Sequence, residues 1–150
     1  MRNISYIDDF ERWKEEFTFS IDIPIRFSET DMFGHVNNVS PFIYFEQARI
    51  EYLKDIGLFT TFNTKAPVPI VADLQCDYIN EMFFGETIEM FVKTATIGTS
   101  SLDIHYMGLK KEDRTVCLTG RGRLVNVDPQ TSKPVPLSEE QKNKLLGYVY

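Results

Sequence analysis

One segment limits the folds open to this chain more than any other: Val39–Ile56, a helix-length stretch crowded with apolar and aromatic residues. Phe42, Ile43, Tyr44, Phe45, Ala48, Tyr52, Leu53 and Ile56 cover more than one narrow stripe, which predicts a helix buried on most sides. Pro41 fits only a first turn, where its missing N–H is no loss. Asn38 or Ser40 is expected to cap that turn through a side-chain oxygen, and Gly57 to end the helix. A helix this apolar needs a broad surface to lie against.

The remaining patterns supply that surface as strands. Phe17, Phe19, Ile21, Ile23, Ile25 and Phe27 alternate with Thr18, Ser20, Asp22, Pro24 and Arg26, the period of a half-buried strand. Pro24 cannot donate a ladder hydrogen bond, so this strand belongs at an edge or a bulge. Four further strands are predicted at Val68–Ile79, Thr87–Ile97, Ser101–Lys110 and Thr115–Val127. Their short links, Glu81–Gly85, Gly98–Ser100 and Lys111–Arg114, read as antiparallel hairpins. Gly120 and Gly122 are expected to allow strand curvature. Leu58–Pro67 and Asp128–Pro136 read as loops. Tyr6–Glu16, with Tyr6, Phe10, Trp13 and Phe17 at helical spacing, is expected to be a short amphipathic helix. Ser138–Leu146 is expected to be a closing helix with Ser138 and Gln141 at capping-box spacing. The sum is an α+β domain: about five antiparallel strands wrapped around one long helix.

At 150 residues the prior is one domain, with residues 1–16 as an N-terminal helical extension and 137–150 as a C-terminal helix. Cys76 and Cys117 sit in apolar runs and read as buried thiols of a reducing compartment. No stretch approaches the roughly 20 apolar residues of a membrane span, and the first residues lack a signal core. These features predict a soluble, cytoplasmic protein without membrane partners. A net charge of −6 argues against nucleic-acid binding. No spacing of His, Cys, Asp and Glu resembles a metal site, and no cofactor is expected.

Chemistry concentrates in Arg26–Asn38. Asp31 precedes His35 by four residues, and Asn37 and Asn38 stand where the amides of a helix start lack partners. Such amides carry partial positive charge and can hold a developing oxyanion, while a nearby carboxylate serves as nucleophile or base. That is a minimal kit for acyl transfer. The same residue types also populate ordinary turns, and His35 alone also fits a turn histidine bonded to backbone. His105 reads as solvent-facing or structural. Arg121 and Arg123 share a strand face, where they are either solvated or in reach of a ligand's phosphates.

The run Arg26-Phe27-Ser28-Glu29-Thr30-Asp31-Met32-Phe33-Gly34-His35-Val36-Asn37-Asn38, continuing into Tyr44-Phe45-Glu46-Gln47-Ala48-Arg49, resembles the 4-hydroxybenzoyl-CoA thioesterase-like branch of the hotdog-fold acyl thioesterases. The resemblance implies hydrolysis of an acyl-CoA, or an acyl-carrier-protein thioester, to an acid and a free thiol. By position it makes Asp31 the catalytic aspartate and the Asn38 N–H the group that polarises the thioester carbonyl. His35 and Asn37 receive catalytic or orienting roles. It also implies a homodimer or tetramer with active sites shared between subunits. A second branch carries its carboxylate on the helix, where Glu46 stands. The other reading of Glu46 is an acid paired with Arg49. Competing functions are a non-catalytic acyl-CoA-binding module and a hydratase or dehydratase.

Overall fold

The computed structural model describes residues 3–58 and 65–147. Its elements in chain order are α1 (Phe10–Glu15), β1 (Phe19–Pro24), α2 (Ser40–Asp55), β2 (Val68–Tyr78), β3 (Thr87–Ile97), β4 (Ser101–Lys110), β5 (Val116–Val127) and α3 (Glu139–Leu146). A 3₁₀ turn at Phe27–Glu29 separates β1 from α2. The strands form one antiparallel sheet of order β1-β3-β4-β5-β2, and α2 lies across one face. This is the hotdog arrangement. The loop expected at 58–67 falls largely on residues 59–64, outside the described residues.

The helix is less enveloped than its composition suggests. Pro41, Tyr44, Phe45, Ala48, Arg49, Tyr52 and Leu53 are buried, an i, i+3, i+4 stripe, whereas Ile43 is 52% exposed and Glu46 and Gln47 face outward. The sheet covers one side only. Phe45 stacks on Tyr106 at 4.5 Å, and its ring lies against Gly120, where a Cβ would stand 2.5 Å away. A Cβ on Gly122 would stand 2.9 Å from the Asp73 carbonyl. These glycines therefore serve close approach of the helix and of β2, beside the β2 register shift at Val71/Asp73. Gly57, at φ +79°, ends α2 with the Gly57 N–H donating to the Lys54 carbonyl and the Leu58 N–H to that of Leu53.

Three expectations are corrected at the N-terminal side. The first helix begins at Phe10 rather than Tyr6, because the Asp9 carboxylate accepts from the Arg12 N–H and caps it there. β1 is shorter than its alternation. Phe17 packs with Ile4, Ile7 and Trp13 on the sheet face opposite α2, and Phe27, 75% exposed, sits in the 3₁₀ turn. The cap of α2 comes from neither Asn38 nor Ser40. The Asn37 side-chain carbonyl accepts from the Val39 and Ser40 N–H groups, both at 2.9 Å.

One connection also departs from the hairpin expectation. β3–β4 and β4–β5 are adjacent, but β2 pairs with β5 and β3 with β4, so the chain from β2 to β3 must cross the sheet. That crossing, residues 79–86, pairs with the loop before α2. The Val36 N–H donates to the Met82 carbonyl at 2.7 Å, and His35 bridges Phe83. The capping box at α3 forms as read, Ser138 and Gln141 each bonding the other's backbone N–H.

Candidate active site

The loop 26–39 is held at both ends by Glu29. Its buried carboxylate accepts from the Arg26 N–H at 2.8 Å, the Arg26 guanidinium at 3.1 Å and the Tyr44 hydroxyl of α2 at 3.1 Å. Burial alone would raise its pKa, but these donors outweigh burial and the pKa is lowered. The Glu29 carbonyl also accepts from the Asn37 N–H at 2.9 Å. Sequence reasoning did not single out Glu29. Its only local signal was the i, i+3 spacing of Arg26 and Glu29, which allows an ion pair across one turn.

Within this frame the chain makes a tight turn. The Asp31 N–H donates to the His35 carbonyl, the Gly34 N–H donates to the Asp31 carbonyl, and Gly34 takes φ +86°. One Asp31 oxygen accepts from the Phe33 N–H at 2.8 Å. The other lies 3.6 Å from His35 Nδ1, and His35 Nε2 lies 4.0 Å from Glu81. Asp31, His35 and Asn38 line one cavity of about 300 Å³ with Pro41, Met82 and Leu118. Tyr78 and Glu81 also border it, and the Tyr78 hydroxyl donates to the Asn38 carbonyl. The Asn38 N–H finds no acceptor among the described residues. Asn37 is turned to the helix start by its capping bonds.

The other candidates separate from this group. Glu46 is exposed and does not border the cavity, and the expected Glu46–Arg49 pair does not form. Arg49 instead donates to the Tyr106 hydroxyl at 3.1 Å. Arg121 and Arg123 share a face, as read, but both bond Asp103, and Arg121 also meets Asp73 at 3.1 Å. His105 is structural: its Nδ1 accepts from the Trp13 indole N–H at 2.9 Å. Burial, with the Lys93 and Arg121 charges against it, lowers its pKa to about 4 despite Asp103 and Glu16. Among the described residues no group of three or more His, Cys, Asp or Glu is placed to hold a metal ion, and no helix is long and apolar enough to cross a membrane.

A family model, the thioesterase-like superfamily, matches residues 25–145. The chain belongs to this superfamily. Among relatives of this hotdog thioesterase is YsmA of Bacillus subtilis, an uncharacterised protein 42% identical over 147 residues, with 97% of this chain and 98% of YsmA covered. The PA5185 protein of Pseudomonas aeruginosa shares 28% identity and a TM-score of 0.81, covering 89% of this chain and 93% of its own. A thioesterase of Thermus thermophilus, solved with coenzyme A and zinc, shares 27% identity and a TM-score of 0.77, with 89% and 96% covered. Thioester hydrolysis is thus the general chemistry of the family.

Proposed function

We propose that this thioesterase hydrolyses acyl-CoA, with Asp31 as nucleophile or as base for water. The observation that carries the reading is that Asp31 and Asn38, whose N–H has no acceptor among the described residues, line one cavity at the start of α2. A thioester carbonyl placed between them would be attacked from the Asp31 side while its oxygen takes up charge. The Asn38 N–H, aided by the partial positive charge of the helix start, stabilises that oxyanion before CoA leaves as thiol. His35, beside Asp31, orients the carboxylate. Asn37 serves as a positioning residue, because its cap fixes the direction of the turn that presents the amide. The CoA-bound Thermus relative supports CoA as the carrier. β2 is an open edge with Ile70 and Val71 exposed, which supports edge pairing into a dimer.

The test is a thiol-release screen over short, long and aromatic acyl-CoAs and the matching acyl-carrier-protein thioesters. Release from acyl-CoA that disappears in Asp31→Asn supports the reading. Release only from carrier-protein thioesters would replace CoA as the carrier.

A further inference from the structure

Glu81 belongs to no motif of the loop, yet the crossing connection 79–86 carries it to the cavity wall. Its position is set by backbone pairing, not by its own side chain: Met82 accepts from Val36 and Phe83 bridges His35. The Glu81 carboxylate stands 4.0 Å from His35 Nε2, on the other side of the ring from Asp31. The cavity is therefore bordered by two carboxylates around one imidazole, Asp31 half-buried and Glu81, 67% exposed, at its rim. Among the described residues that line it there is no Lys or Arg. Its other walls are largely apolar, with Val36, Met82 and Leu118, or uncharged, with Asn38 and Asn80.

We infer that Glu81 is a specificity-determining residue that sorts acyl groups by charge, admitting neutral acyl chains and rejecting those that end in a carboxylate. The inference rests on the acyl-CoA reading and adds the substrate class. An acyl group with a terminal carboxylate would bring a third like charge beside Asp31 and Glu81, with no guanidinium or ammonium among this chain's described lining residues to offset it. Like charges a few ångströms apart disfavour binding even at the solvated mouth of a site, and more so where water is excluded. The same field favours release of the product, since hydrolysis turns a neutral thioester into an anion inside that wall.

The experiment uses ketone analogues of butyryl-CoA and succinyl-CoA, in which a methylene separates sulfur from carbonyl so that nothing is hydrolysed. The two differ chiefly in the terminal carboxylate. Calorimetric Kd values are measured on the full chain and on Glu81→Gln at low and high salt. The butyryl analogue is expected to bind wild type at least about tenfold tighter, the low end for one like-charge contact near a protein surface. Glu81→Gln should shrink that ratio severalfold, and high salt should shrink it in wild type as well. Equal binding of the two analogues overturns the inference and leaves the acyl-CoA reading standing. A ratio unchanged in Glu81→Gln removes Glu81 as its cause. If neither analogue binds, the acyl-CoA reading itself falls, and this inference with it.

Discussion

The two histidines, His35 on the loop before α2 and His105 on the sheet face opposite α2, show how surroundings set a side chain's availability. His35 lies half-buried on a loop, at ion-pair distance from two carboxylates and with a cavity beside it. His105 lies buried in β4, its Nδ1 filled by the Trp13 indole and its ring against Tyr6 at 4.9 Å. The first keeps its ring half-buried beside the cavity. The second is committed to fastening the N-terminal segment, residues 4–17, onto the sheet. Side-chain identity does not separate them; solvent access and the partner on each nitrogen do.

The sharpest way to break that contrast acts on the loop side. Asp31→Asn keeps shape and removes the anion, so turnover is expected to fall roughly 10²–10⁴-fold, the usual contribution of a positioned base. Its melting temperature should stay near wild type, because the Asp31 side chain is partly exposed. A folded variant that keeps its thioesterase rate would put the chemistry elsewhere.

Next in size is Trp13→Ala on the opposite face. Removing a buried Trp typically costs about 3–5 kcal/mol, and here it also leaves His105 without its donor. Denaturant unfolding should show the loss, while turnover of the remaining folded protein should hold. Loss of turnover at unchanged stability would link the N-terminal segment to the site.

The third test uses pH. Burial holds the folded pKa of His105 down at about 4, below the ordinary imidazole value of 6.5. The unfolded chain therefore takes up the proton first as pH falls. The stability tied to neutral His105 is full above about pH 6.5 and is lost as pH drops toward 4, amounting to roughly 3 kcal/mol at most. His105→Gln, which does not titrate, should flatten that part of the profile. Trp13 is the single tryptophan, so its fluorescence reports the transition directly. Equal slopes in the two proteins would mean other groups carry the dependence.

The smaller effects separate the two asparagines. Asn37→Ala is expected to cost about 0.5–2 kcal/mol, the range for a lost helix cap, with turnover falling through misalignment of the first turn. Asn38→Ala should change stability less, since the cap of α2 is made by the Asn37 side chain and not by that of Asn38. Paired melting and steady-state measurements decide between them. Abolished turnover in Asn38→Ala at an unchanged melting temperature would make that side chain catalytic. Glu46→Gln, on the exposed side of α2, should change turnover least of all.

Local patterns in the chain determined much of this protein. Alternation, turn residues and caps placed β3 and β4 at their observed bounds, started α3 with Ser138, and ended α2 at Gly57, because each depends on neighbours within a few residues. The clustering of Asp31, His35 and Asn38 on one loop was legible for the same reason, since all three lie within eight residues. Tertiary structure decided the rest. Phe17 and Phe27 fit the alternation, but the chain leaves the strand at both ends to cover the opposite face and to turn toward α2. Asn37 rather than Asn38 caps the helix: its N–H is tied to the Glu29 carbonyl while its side-chain oxygen accepts from the Ser40 N–H. Above all, the link after β2 looked like a hairpin turn. Its course across the sheet follows from pairings between strands far apart in sequence, β2 with β5 and β3 with β4. Only that crossing brings Glu81 to His35, a contact between residues 46 positions apart that no local periodicity encodes.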